Sequence, residues 1–442
     1  MLKNFLHAGF GGFFSQLIVF LSLPFITRLY APATYATWAI VMATAGILGT
    51  IACFRYELAI VTANDENDAS SIFWACIVSS LLFGVLILGS YFLIGQQHYF
   101  SIEKITFNLF HYFIFVSLVT TFMGVTAALQ YWHTRHKSFF YNSIALIVSS
   151  FVTVIIQLLW AYKIAPSPYG LLLGSVGGLF IAIVFQCSAI FLTRKIPALN
   201  LIIIQRIFIC LKQQRLFLLY STPYALFGVV RDRVTVLVMQ MFLPMATVGL
   251  YALVYRVMNF PVMLVSNALR PVFFQACSAQ GVKAIEPQLN RIMRWLVILA
   301  MPCVVIYFYF ADDLFRLFFG PQWQGAGYIG KFLIFPVVTF LLVNWMDRIM
   351  DVLSQQKLTL MLEVTFSTLS IFGLWLGFFM GLGLPGALLI QCSVLVVYNV
   401  AYLMVAYGKA GYDRRKLFNL MPSAFAASIL TAFTLEIFKV IF

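Results

Sequence analysis

Charge is scarce in this chain: 10% of its 442 residues are Asp, Glu, Lys or Arg, against about 25% in soluble domains. With 62% hydrophobic residues and no polar stretch long enough for a water-soluble domain, the composition excludes a soluble globular protein. It points to a polytopic membrane protein. Cysteine chemistry is lacking too. The seven cysteines, at 53, 76, 187, 210, 277, 303 and 392, are scattered in or beside apolar segments, with no C-x-x-C pair and no histidine at metal-ligand spacing. Neither a disulfide framework nor a zinc site is expected, and no cofactor. Histidines 7, 98, 111, 133 and 136 make no catalytic constellation. A cleavable leader is missing as well: the apolar span 8–27 follows Lys3 and His7 without a small-x-small cleavage site, so it is expected to stay as the first transmembrane helix.

Acidic residues are half as numerous as basic ones, 14 against 28, which leaves a net charge of +14. In a soluble protein that excess would suggest nucleic acid. Here the distribution of Lys and Arg between the two sides of a membrane is the simpler cause, and no nucleic-acid partner is expected.

What is present is a series of long apolar runs. They are read at 8–28, 34–54, 70–95, 107–129, 138–162, 169–193, 216–243, 247–269, 293–312, 328–350, 358–380, 384–407 and 419–441. Each is long enough for a ~30 Å hydrocarbon core at about 1.5 Å per residue. Glu436 and Lys439 make the last the weakest, so the expected fold is all-α with about 12–13 transmembrane helices. An N-terminus on the cytoplasmic side puts nineteen Lys and Arg inside and six outside, among them Lys104, Arg316 and Lys331. That asymmetry sets the expected orientation. The basic connector 194–215 separates six spans, 1–193, from a second group, 216–408, followed by a basic loop and an additional helix over 409–442. A faint internal echo supports two halves. Pro32 with Tyr35-Ala36-Thr37-Trp38-Ala39 recurs as Pro244 with Val248-Gly249-Leu250-Tyr251-Ala252, and each is followed by a helix expected to end in an arginine, Arg55 or Arg270. Six spans per half would make the repeat parallel, about an axis along the membrane normal.

Arg231, Asp232 and Arg233 interrupt the run 216–243. An arginine at bilayer depth costs at least ~2.5–3.5 kcal/mol on insertion scales, so such residues usually face a water-filled cavity. The alternative is that Pro223 and Gly228 break the segment, leaving the arginines near an interface with Asp232 as a local counterion. In 247–269, Arg256, Asn259, Met263, Asn267 and Arg270 recur at spacings of three or four and share one helical face about 21 Å long. Asparagine amides offer donors and acceptors to sugar hydroxyls, and arginine forks match phosphate oxygens. Equally, the asparagines can join helices and Arg270 can sit at the headgroups. Glu363, one turn into its span, and Asp232 are candidates for ion coupling. Asp347 and Asp351 share a face at i and i+4 if the helix continues, as an interfacial ion-pair cluster with Arg348 or as a cation site. Arg55 and Glu57 end the second span, where a local ion pair is the default.

The stretch Phe25-Ile26-Thr27-Arg28-Leu29-Tyr30-Ala31-Pro32, then Tyr35-Ala36, Phe54-Arg55-Tyr56-Glu57-Leu58-Ala59-Ile60-Val61 and the acidic Asp65-Glu66-Asn67-Asp68-Ala69, resembles the N-terminal signature of bacterial polysaccharide flippases. These are the Wzx-type O-antigen and capsule exporters of the superfamily that also holds the lipid II flippases and multidrug antiporters. Tyr35-Ala36 stands where that family usually has Phe-Gly, a conservative departure for packing. The resemblance implies two six-helix lobes around a central cavity open alternately to each side of the inner membrane. It also implies a cargo of undecaprenyl-pyrophosphate-linked oligosaccharide for lipopolysaccharide or capsule, with a polysaccharide polymerase and chain-length proteins as conceivable partners. Arg55 gains a role in cargo capture from it.

Two other functions compete. A multidrug or cation antiporter should have an acidic, aromatic cavity, whereas the mid-span charges here are mostly arginine, which attracts anions. A polysaccharide polymerase or lipid-sugar transferase needs positioned carboxylates and usually a long outer loop. The outer connectors are short, so no enzyme is expected.

Overall fold

The structure, a computed structural model, describes residues 2–63, 65–94, 108–198, 201–353, 355–418 and 431. The described residues are helices joined by short turns, with no strand. Backbone N–H and C=O groups find no water in lipid, and a chain this apolar satisfies them within helices. The order is α1 (Leu2–Leu29), α2 (Pro32–Ile51), α3 (Glu57–Thr62), α4 (Glu66–Ile94), α5 (Leu109–Arg135), α6 (Phe139–Lys163), α7 (Pro168–Thr193), α8 (Leu201–Gln213) and α9 (Thr222–Phe242). It continues with α10 (Met245–Gln280), α11 (Glu286–Phe319), α12 (Ala326–Val343), α13 (Ile349–Val352), α14 (Gln356–Phe379), α15 (Gly383–Ala410) and α16 (Arg415–Phe418). Among the described residues, eleven helices are long and apolar enough to cross a membrane. Helix α9, at 21 residues, is left out by its three charges, Arg231, Asp232 and Arg233. The expected last span, 419–441, lies almost wholly outside the described residues.

The chain divides into two compact units, Met1–Ala252 and Leu253–Phe442. In the first, α6 packs on both α1 and α7, and α9 lies along α2. Small residues set the α6–α7 approach. A Cβ added at Gly174 or Gly178 would fall 2.8 Å from the Thr153 carbonyl oxygen or 2.7 Å from that of Ser149. The two echo segments meet in this unit. Gly249 of α10 stands so close to Pro32 at the start of α2 that a Cβ there would lie 1.9 Å from the Pro32 carbonyl oxygen. Gly249→Ala is therefore expected to cost about 1–3 kcal/mol, the usual penalty of overpacking, read as a lower melting temperature of the purified protein.

The acidic stretch after α3 acts as a set of counterions. The Arg135 guanidinium, at the end of α5, donates to the Ile60 and Ala63 carbonyls at 2.9 Å each, to the Asp65 carbonyl at 3.1 Å and to Glu66 at 3.1 Å. His136 reaches the other Glu66 oxygen at 2.8 Å, and Arg206 of α8 stands 3.5 Å from both Asp65 and Asp68. One planar fork thus ties the α3–α4 turn to α5. Arg135→Ala should lower the melting temperature by the equivalent of about 1–3 kcal/mol, since it strands the Ile60 and Ala63 carbonyls, while Glu66 keeps His136. Arg135→Lys should restore little, because an ammonium cannot span this fork.

In the second unit α14 packs on α15, which also contacts α12. Its core at one end gathers Met293, Trp345, Met346, Ile349 and Tyr407, all fully buried. Two local expectations change here. Helix α10 does not end at Arg270 but runs on to Gln280, because Phe273 and Cys277 belong to this same core. Helix α12 stops at Val343, and Asp347 lies in the turn before α13. Asp347 and Asp351 consequently do not share a helical face: Asp347 pairs with Arg270 at 3.0 Å and Asp351 with Arg348 at 3.0 Å.

Candidate functional site

Helix α9 has no break at Pro223 or Gly228. It runs unbroken from Thr222 to Phe242, with Pro223 in its first turn, where a missing N–H costs nothing, and Gly228 inside it. A five-residue π-turn, Phe217–Ser221, precedes it, and the Thr222 hydroxyl donates to the Phe54 carbonyl at 2.8 Å. Asp232 is the central residue of the 21, about 15 Å from either helix end. Arg231 is mostly covered, its Nε 3.3 Å from Asp232 Oδ1. Asp232 is 43% exposed, and Arg233 is exposed. An unbroken helix sets the two arginines about 200° apart, so they serve different directions. Arg233 lies against α2 at Gly46, where an added Cβ would stand 3.5 Å from its Nε.

On α10, Arg256, Asn259, Asn267 and Arg270 follow one helical face as expected. Their commitments differ. Asn259 donates back to its own helix at the Tyr255 carbonyl, 2.9 Å away, while Met263 and Asn267 are exposed. Arg270 is held: one nitrogen donates to the Asn344 carbonyl at 2.8 Å and to Asn344 Oδ1 at 2.9 Å, and Nε faces Asp347. Asn344 donates in turn to the buried Ser266 hydroxyl at 2.9 Å, and the Tyr402 hydroxyl to the Asp347 carbonyl at 2.8 Å. Burial pushes the Asp347 carboxyl up from its ordinary value, with Arg270 and Arg348 pulling it back.

Arg55 is not in helix α2, which ends at Ile51. Phe54 and Arg55 sit consecutively in the left-handed region, φ 50° and 59°, a conformation that costs a bulky residue roughly 1–2 kcal/mol. The backbone is pinned there by the Thr222 hydroxyl on Phe54 and by the Tyr56 hydroxyl on the Leu211 carbonyl at 3.2 Å. Arg55 Nη1 is 3.3 Å from Glu57 Oε1. Glu57 is buried, and burial raises its carboxyl pKa against the pull of its own backbone N–H and of Arg55.

Glu363 of α14 is buried in the second unit. The Tyr398 hydroxyl of α15 donates to its Oε2 at 2.5 Å and the Ser367 hydroxyl to its Oε1 at 3.2 Å. Next to Tyr398, Asn399 donates to the Pro336 carbonyl at 3.2 Å and to the Thr339 hydroxyl at 2.9 Å, both of α12. Neither Tyr398, one of 21 tyrosines, nor Asn344 is singled out by residue type or spacing. No group of His, Cys, Asp and Glu among the described residues could hold a metal ion.

A family model described as a polysaccharide biosynthesis protein matches residues 25–327, more than half of the chain. The chain belongs to this family. No curated relative matches it. Among solved structures, this family member is similar to the lipid II flippase MurJ in an inward closed conformation, at 14% identity and TM-score 0.73, over 95% of this chain and 90% of that one. It is similar to a multidrug resistance MATE transporter of the MOP superfamily in an inward-facing conformation, at 12% identity and TM-score 0.60, over 93% and 95%. A MOP superfamily transporter from Pyrococcus furiosus, described as having a binding pocket of reversed polarity, gives 12% and 0.56 over 92% and 96%. The chain thus shares its all-helical fold with these membrane proteins.

Proposed function

We propose that this protein carries undecaprenyl-pyrophosphate-linked oligosaccharide repeat units across the bacterial inner membrane for O-antigen or capsule synthesis. The reading rests on its family and on one observation: Arg233 stands exposed at the centre of α9, beside a half-exposed Asp232. Charge exposed at that depth faces water rather than lipid, because a lipid-facing arginine is too costly. The sign of the site favours an anion. Arg55, Arg231 and Arg233 in the first unit and Arg256 and Arg270 in the second are the cations offered to a pyrophosphate, and Asn259 and Asn267 offer hydrogen bonds to sugar hydroxyls. Transport would alternate access between two groups of six spans, 1–193 and 216–408, with the N-terminus cytoplasmic and the polyprenyl tail left in lipid. Glu363 or Asp232 would couple transport to an ion. The test is reconstitution in vesicles with a fluorescent undecaprenyl-pyrophosphate oligosaccharide and, in parallel, with ethidium. Flipping of the lipid-linked sugar without ethidium movement is the expected result. Ethidium movement alone would replace this reading with a cation exporter.

A further inference from the structure

Helix α11, in the second unit, is 34 residues long, about 51 Å and well beyond a ~30 Å hydrocarbon core. No charged residue stands between Arg294 and Asp312, about 27 Å of helix, so Arg294 and Arg291 before it mark one edge of the apolar layer. One side of these turns is committed. Leu289 and Met293, both fully buried, join the core around Trp345 and Tyr407. At about 100° per residue, Arg291, Arg294 and Trp295 leave the helix on the opposite side. All three are exposed, Trp295 to 59%. Among the described residues neither guanidinium has an ion-pair or hydrogen-bond partner. By contrast, Arg348 is paired with Asp351 and Arg135 with Glu66. Two like charges one turn apart destabilise a helix slightly, so the pair gains nothing within the chain itself.

Polarity changes in order along this exposed face. Leu299, one turn beyond Trp295, is 64% exposed, and the exposed Cys303 and Ile306 continue the face. Arg291 to Leu299 covers about 12 Å. Cations, then an indole, then apolar side chains repeat the order of a phospholipid: phosphate, glycerol esters, acyl chain. We infer that Arg291, Arg294 and Trp295 form a binding site for the headgroup of an anionic phospholipid. The arginine forks donate to the phosphodiester oxygens, the indole N–H donates at the ester level, and Leu299 meets the acyl chain. A free phosphate would use the arginines alone and leave Trp295 and Leu299 without a role. A zwitterionic lipid brings its own ammonium to the phosphate, which competes with the guanidinium, so the charge favours an anionic one. The site lies wholly within the second unit and is independent of the transported cargo.

The experiment is native mass spectrometry of the full-length protein, delipidated in detergent and titrated with phosphatidylglycerol or phosphatidylethanolamine of the same acyl chains. Wild type should bind its first phosphatidylglycerol at least tenfold more tightly than phosphatidylethanolamine, and that lipid should raise its melting temperature. R291A/R294A should lose the preference while melting as wild type does without lipid. W295A should weaken binding severalfold, and R291K/R294K should keep part of it. Absence of a preference in wild type overturns the inference, as does an equal preference in R291A/R294A. An equal rise in melting temperature with glycerol phosphate would identify a phosphate site that ignores the lipid, and overturns it too. A lipid-free dimer of wild type that R291A/R294A breaks would assign the face to a second copy of this chain instead.

Discussion

Arg233→Ala is expected to slow flipping of a lipid-linked oligosaccharide at least tenfold in vesicles, the loss of about 1.4 kcal/mol of stabilisation. The guanidinium is exposed one residue from the centre of α9, so on the proposed reading its removal takes away an anion ligand at little cost in stability. Arg233→Lys should fall between, since an ammonium keeps the charge but cannot form a bidentate contact. Its position against Gly46 supplies a second arm. Gly46→Ala sets a methyl in ordinary contact, 3.5 Å from Nε, and should leave transport near wild type. Gly46→Leu would drive bulk into the guanidinium and should reduce transport severalfold. Substituting Met241, an exposed apolar residue near the end of the same helix, with leucine should change nothing. Full activity of Arg233→Ala, with a normal melting temperature, would remove this arginine from the mechanism.

The helices were legible because a bilayer imposes one solution on an apolar run, and α9 stood out because its charges break that rule. The face shared by Arg256, Asn259, Asn267 and Arg270 was legible for a similar reason, since spacing within one helix fixes direction. What those side chains bind was not. Arg270 reads as a headgroup or cavity residue, yet its partners Asn344 and Asp347 come from a turn more than seventy residues away, reached only once α12 stops at Val343. Asn344, Asp347 and Arg348 cluster just after Val343, but spacing alone reads them as the end of a continuing helix. Arg55 shows the same limit on a smaller scale. It reads as the last residue of a helix, whereas two consecutive left-handed residues turn the chain and set it over Glu57. The acidic 65–68 stretch was legible as a signature, but its work as the counterion of Arg135, His136 and Arg206 depends on pairings 69–141 residues apart.

Glu363→Gln is expected to uncouple transport from its driving ion while leaving the fold intact. The carboxylate lies seven residues into α14, about 10 Å along the helix. Its two oxygens accept hydrogen bonds from the Tyr398 and Ser367 hydroxyls. Glutamine keeps the shape and one acceptor, so the melting temperature should fall only modestly. The group that can exchange a proton or hold a cation is gone. Flipping driven by an imposed pH or sodium gradient should then drop at least tenfold, whereas exchange of cargo down its own gradient should persist. Tyr398→Phe separates two roles for the same cluster. It removes a hydrogen bond to a buried acid, worth roughly 1.5–3 kcal/mol when the acceptor is charged, without removing the titratable group. A coupling role predicts that Glu363→Gln loses gradient-driven flipping while Tyr398→Phe keeps most of it. A packing role predicts that both variants lose stability and keep gradient-driven flipping. The second outcome would leave Glu363 as a buried structural acid and place coupling elsewhere in the chain.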